Sequence, residues 1–130
     1  MNEDMTEQWD RLTSLEQRLR RESAERLASD DVLIVRTVAK QAALSDERVE
    51  EGLASAEGQR ELVFEIARRI REGSLKLGSL LIASNDLCKQ GRYEEARRSL
   101  LGAVGAERVP LYKSLMEDEL ERIRQEESQG

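Results

Sequence analysis

Trp9-Asp10-Arg11-Leu12-Thr13-Ser14-Leu15-Glu16-Gln17-Arg18-Leu19 decides the fold class. Its apolar residues recur at steps of three and four, the spacing of one face of an α-helix, and none of it alternates as a strand would. Thr6 is placed to cap this helix. Glu16–Arg20 and Glu22–Arg26 set acid before base at i,i+4 on its outer side, and the pattern predicts an end near Leu27.

The same period continues downstream. Ser29-Asp30-Asp31 reads as a turn and N-cap before a helix from about Val32 to Ala43. Val32, Leu33, Val35, Val38, Ala39 and Ala42 almost surround that helix, which predicts a central position. Ser45 caps a shorter acidic helix carrying Val49 and Leu53, and Gly58 marks a break or bend. Leu62, Val63, Ile66 and Ile70 form a stripe ending at Gly73, read as a C′ glycine. Ser74 then opens a fifth helix with Leu77, Leu80, Leu81 and Leu87 inward, ended by Gly91. A sixth begins near Tyr93 and holds Ala96, Leu100, Ala103 and Val104. Pro110 either starts a seventh helix in its first turn or kinks a continuous one. Val109, Tyr112, Met116, Leu120 and Ile123 share one face of that last segment, and residues 126–130 should fray. The expectation is all-α: a single compact bundle of six or seven short helices over residues 1–125.

Composition removes most chemistry. In 130 residues there are 21 basic and 27 acidic side chains, a net charge of −6, no histidine and one cysteine. Without histidine there is no Ser-His-Asp triad, no Cys-His pair and no Cys₂His₂ or Cys₃His zinc set. Cys88 alone cannot form an internal disulfide and, following Leu87 in an apolar stripe, reads as a small buried hydrophobe. No G-x-G-x-x-G or G-x-x-x-x-G-K-[ST] run cradles a phosphate. Carboxylates are plentiful, so a carboxylate-only acid/base or divalent-metal site, and with it an unrecognised enzyme, stays formally open, but their spacings are typical of solvated helix faces. The longest apolar runs, such as Val32-Leu33-Ile34-Val35, are far too short to span a bilayer, and residues 1–10 hold acids and no base. The chain therefore reads as a cytoplasmic protein, not an enzyme, with no cofactor, no metal and no membrane.

Two local patterns resemble functional motifs. Residues 38–53 look like a helix-turn-helix DNA reader, with Ala39 at the tight contact, Ala42-Ala43-Leu44 in the turn and Val49 on the buried side of the second helix. That second helix offers Asp46, Glu47, Glu50 and Glu51 against Arg48 alone. Since phosphate contact supplies most DNA affinity, it would repel nucleic acid. Residues 80–103 look like one tetratricopeptide unit, with Leu80, Ala83, Ser84 and Leu87, then Gly91 in the turn, then Ala96, Leu100 and Ala103. A solenoid needs about three units and no second copy follows, so this is one tetratricopeptide-like helical hairpin.

Together, Trp9 in the first helix, Ala43-Leu44-Ser45, Ile70-Arg71-Glu72-Gly73-Ser74, Gly91, Ala96-Arg97 and Val109-Pro110-Leu111-Tyr112 resemble the DUSAM domain, a family of small helical proteins found in myxobacteria. The resemblance covers about residues 7–122. The sequence departs from it at Arg92-Tyr93, where the family has an acid followed by Leu, and at Leu111, where it has His. The resemblance implies a fold and a lineage; it brings no catalytic residue. Trp9, Gly73, Ser74, Gly91, Ala96, Arg97, Pro110 and Tyr112 are the family-motif positions, with structural roles.

The functional expectation is a non-catalytic, acidic protein-interaction domain, one form of which is an inhibitor or immunity protein covering a basic site on its partner. The alternative is a structural or oligomerisation module. The chain is expected as a monomer or small homo-oligomer. Residues 46–57 hold five acids against one base, residues 117–127 hold six against two, and residues 60–76 hold three against five. Glu65–Arg69, Glu94–Arg98 and Asp118–Arg122 are expected to neutralise locally. The 46–57 segment lacks such pairs except through Arg48. Asp46, Glu47, Glu50 and Glu51 are thus the candidate surface for an unidentified, basic protein partner.

Overall fold

The computed structural model describes residues 3–22 and 25–129, with only the backbone of Glu3 and Asp4. Among them the order is α1 (Glu3–Arg21), α2 (Ser29–Gln41), α3 (Asp46–Leu53), α4 (Ala56–Lys89), α5 (Tyr93–Ala106) and α6 (Pro110–Gln129), with no strand. The fold class is all-α. The chain divides into two units, Met1–Ile70 and Arg71–Gly130, and the division falls inside α4.

In the first unit, Leu12, Leu15 and Leu19 of α1 meet Val35, Val38, Ala39 and Ala42 of α2, Val49 of α3, and Leu62, Val63 and Ile66 of α4 in one core. Burying side chains of this size contributes about 1.5–3 kcal/mol each, which offsets the cost of ordering the helices. Trp9 lies at the edge of that core. Its indole N–H donates to Gln41 Oε1 at 2.5 Å, and Gln41 in turn donates to Gln8 Oε1 at 2.9 Å. Phe64 is covered by two guanidinium groups, Arg20 at 5.0 Å and Arg60 at 5.3 Å from its ring centre.

Several sequence expectations are corrected here. Thr6 lies inside α1 and does not cap it. That helix ends at Arg21 and not near Leu27; residues 23–24 lie outside the described residues, and Glu25–Ala28 belongs to no helix, with Ala28 itself extended. It is held there by Leu27 N–H donating to Gln59 Oε1 and by Arg26 donating to the Ala54 carbonyl. Ala28 is the N-cap residue of α2, and Ser29 is already helical. Leu33 is 64% exposed, so α2 is buried on one face only.

The expected break at Gly73 is absent. Residues 56–89 form one helix of 34 residues, about 51 Å long. Glycine costs a helix about 1 kcal/mol, too little to break a run rich in Leu, Arg, Glu and Lys. Gly73 serves contact and not a turn. A Cβ there would stand 2.5 Å from Tyr112 Cε2 and 2.6 Å from Cδ2. Ser74, mid-helix, does not open a helix; its side chain hydrogen-bonds Tyr112. Gly58 lies in the first turn of α4, where its N–H donates to Ser55 Oγ at 2.9 Å.

The second unit is the end of α4 with α5 and α6. Gly91 adopts φ +75°, with Gly91 N–H donating to the Cys88 carbonyl and Arg92 N–H to the Leu87 carbonyl. This is a Schellman end with glycine at its left-handed position. The hairpin it makes differs from the tetratricopeptide pattern at one packed position: Ala83 is exposed, while neighbouring Ser84 is buried and donates to the Leu80 carbonyl. Ala96, Leu100, Val109, Tyr112, Met116, Leu120 and Ile123 are buried. Pro110 opens α6, where its missing N–H costs nothing. That helix runs to Gln129, so residues 126–129, expected as a frayed tail, are placed in its last turn. Arg122 pairs with Glu126 at 2.6 Å, and Arg97 pairs with Glu127, fastening the last turns. Gly130 lies outside the described residues.

Candidate functional site: the acidic face of α3

The corner from α2 to α3 is built by its backbone. Ala43 stands at φ +63°, Ala43 N–H donates to the Lys40 carbonyl, and Leu44 N–H donates to the Ala39 carbonyl. This is again a Schellman end, here with an alanine at the position that favours glycine. Leu44, buried, packs into the core beyond the turn. Ser45 then caps α3, its Oγ accepting from Arg48 N–H at 3.2 Å. Val49 and Gly52 form the inner side of α3. A Cβ on Gly52 would meet Leu62 Cβ and Cδ2 at 3.0 Å, so α3 lies close upon α4.

The outer side carries Asp46, Glu47, Glu50 and Glu51, all exposed. Asp46 and Glu47 lie in the first turn, where the helix dipole favours negative charge. Glu50 pairs with Arg36 of α2. The Arg36 hydrogen bond holds the Glu50 carboxyl below its ordinary range, against the smaller opposing effect of desolvation. Arg48, the expected local counter-charge, turns to Glu65 on α4, with Nη2 at 3.2 Å and Nε at 3.3 Å. Arg69 in turn donates to the carbonyls of Ala42 and Ala43 at 3.1 and 3.3 Å, so the expected Glu65–Arg69 pair is replaced. Asp46, Glu47 and Glu51 have no ion pair among the described residues.

Elsewhere several acids are paired, although residues 117–127 keep an excess of acid over base. Glu94–Arg98 forms at 3.0 Å and Glu16–Arg20 at 3.1 Å. Arg122 takes Glu119 and Glu126 in place of Asp118, and these carboxylates hold its guanidinium charged even more firmly than usual. A groove of about 850 Å³ beside α1 is lined by both signs of charge, with Arg18 and Asp31 paired across it at 2.6 Å.

The family-motif positions fall into separate places. Gly73, Ser74 and Tyr112 meet, with Glu107 Oε1 3.5 Å from where a Gly73 Cβ would stand and accepting from Val109 N–H at 3.1 Å. Burial is the main cause that pushes the Tyr112 phenol above its ordinary range. Gly91 and Ala96 hold the α4–α5 corner, Arg97 pairs with Glu127, and Trp9 belongs to the first unit. Sequence reasoning missed Arg36, 14 residues from Glu50 in the chain. The signal was its position on the exposed side of α2, facing a helix that follows a tight corner.

Burial pushes the Cys88 thiol up, so it is a packed side chain and a poor nucleophile. Among the described residues no group of three His, Cys, Asp or Glu side chains is placed to hold a metal. Nor is any helix long and apolar enough to cross a membrane.

The model of the family DUF2379, described as a protein of unknown function, matches residues 7–123. No curated protein matches the chain. No solved structure matches it.

Proposed function

The chain belongs to the DUF2379 family, whose description assigns no function, and from that premise we propose that it is a non-catalytic, cytoplasmic interaction domain whose acidic α3 face receives a basic protein. We read the DUSAM resemblance as describing this same family, since the two cover nearly the same residues. The observation that supports the reading most is the routing of Arg48. The one base within residues 46–57 points to Glu65 on α4, leaving Asp46, Glu47 and Glu51 unneutralised on an exposed face. Glu50 is neutralised by Arg36, so the free charge of the face rests on the other three carboxylates. A rigid helix with several free carboxylates accelerates encounter with a basic surface and rejects acidic ones. Nucleic acid is among those it rejects.

An inhibitor or immunity protein is the form of this function we favour: a small domain that covers the basic site of another protein. Its support is the size of the chain and its net charge of −6. The test is capture from the native cell with wild-type bait and with Asp46, Glu47, Glu50 and Glu51 all changed to Lys, followed by mass spectrometry. A basic protein retained by wild type and lost with the reversed bait supports the proposal. Equal capture by both baits refutes it.

A further inference from the structure

Within residues 71–89, α4 turns Gly73, Leu77, Ser84 and Cys88 inward. On the opposite side of the helix stand Leu75, 68% exposed, and Ile82, 67% exposed. A single exposed leucine carries no message. These two are seven residues apart and flank Gly78 and Ser79, both exposed, with open space where a Gly78 Cβ would be. Large residues at heptad spacing around a small-residue step form a seam on which another helix can lie.

We propose that the occupant is a second copy of this chain, its α4 packed antiparallel on this one about the Gly78–Ser79 step. The spacing is self-complementary. A two-fold axis through that step sets Leu75 against the partner's Ile82 and brings the charge of Arg71, which already has a contact within its own chain, to the level of the partner's Asp86, each juxtaposition occurring twice as a closed two-fold interface requires. Parallel alignment would instead set Arg71 on the partner's Arg71 and Asp86 on the partner's Asp86. Gly78 and Ser79 at the crossing let the backbones approach closely. The segment from Arg71 to Lys89 is about 28 Å of helix, short for an interface, and so belongs to the small class burying below about 1,200 Å² in total. The dimer is therefore a weak one, populated at high concentration. It uses neither α3 nor its carboxylates and stands apart from the proposed function.

The test is sedimentation equilibrium of the full chain from micromolar to millimolar concentration. The mass should rise from 14.8 kDa toward twice that value. Leu75→Glu with Ile82→Glu should keep the melting curve, because both side chains are exposed, and weaken association at least about tenfold. A mixture of Leu75→Cys and Ile82→Cys proteins should cross-link on oxidation faster than either alone; Cys88 is buried and stays out of the reaction. A mass that stays at 14.8 kDa throughout overturns the proposal. A dimer indifferent to the Glu pair, or single-variant cross-linking as fast as the mixture, also overturns it.

Discussion

Gly73→Ala sets two known quantities against each other. In the middle of a helix, alanine should stabilise by about 1 kcal/mol over glycine. Here the added Cβ would stand 2.5 and 2.6 Å from two carbons of the Tyr112 ring. That ring is 5% exposed and tied to Ser74 by its hydroxyl, so it has little room to withdraw. Overpacking of this kind costs about 1–3 kcal/mol, and the rigid neighbour places it in the upper half of that range. The expected net loss is about 1–2 kcal/mol in wild type. In a Tyr112→Val background the obstacle is gone, and the same change should stabilise by about 0.5–1 kcal/mol. Urea unfolding followed by far-UV circular dichroism on the four proteins gives the cycle, with a coupling of about 1.5–3 kcal/mol expected. Equal stabilisation by Gly73→Ala in both backgrounds would refute the account of Gly73 as a contact residue.

Ala43→Gly should raise stability by about 0.5–1 kcal/mol, since relief of the left-handed backbone at φ +63° exceeds glycine's entropic cost; thermal melts read it. Gly91→Val should lower stability by about 1–3 kcal/mol through strain alone, because the space around Gly91 is open, and Ala96→Leu by a similar amount through overpacking; urea midpoints compare them. The Arg36–Glu50 tie is present above the ordinary Glu range, because the folded carboxyl titrates lower than the unfolded one. It should fade only as pH falls through that lowered value, and a Glu50→Gln chain should lack this acid-side loss in a pH titration of the melting point. Far-UV dichroism should be unchanged by chelator or reductant, and a thiol reagent at pH 8 should modify Cys88 only as the chain unfolds.

The helical period was legible because every core helix buries one face, so Leu12, Leu15 and Leu19 or Met116, Leu120 and Ile123 repeat as a single helix must. Ser45 and Gly91 were legible because caps and turns act within a few residues, whereas Pro110 was left between opening a helix and kinking one, and it opens α6. Gly73 was misread for a physical reason. Glycine serves both left-handed turns and close approach, and only the ring of Tyr112, 39 positions away in the chain, distinguishes the two. The α1 boundary was missed because Leu27 continues the apolar period while packing on the core from outside the helix. At the candidate site, the exposure of the four carboxylates followed from their spacing around Val49. Their neutralisation did not, because Arg36 and Arg48 choose partners 14 and 17 positions distant. Ion pairing of that range depends on tertiary placement, which local spacing cannot encode.

The most direct test of the α3 reading is the association rate constant with the captured partner, measured by stopped flow against ionic strength. The account predicts a rate that falls steeply with salt for wild type. With Asp46, Glu47, Glu50 and Glu51 reversed to Lys, it predicts a rate about tenfold or more lower at low salt, with the salt dependence flattened or inverted. A reversed protein that folds normally and associates at the wild-type rate, with the same salt dependence, would contradict it.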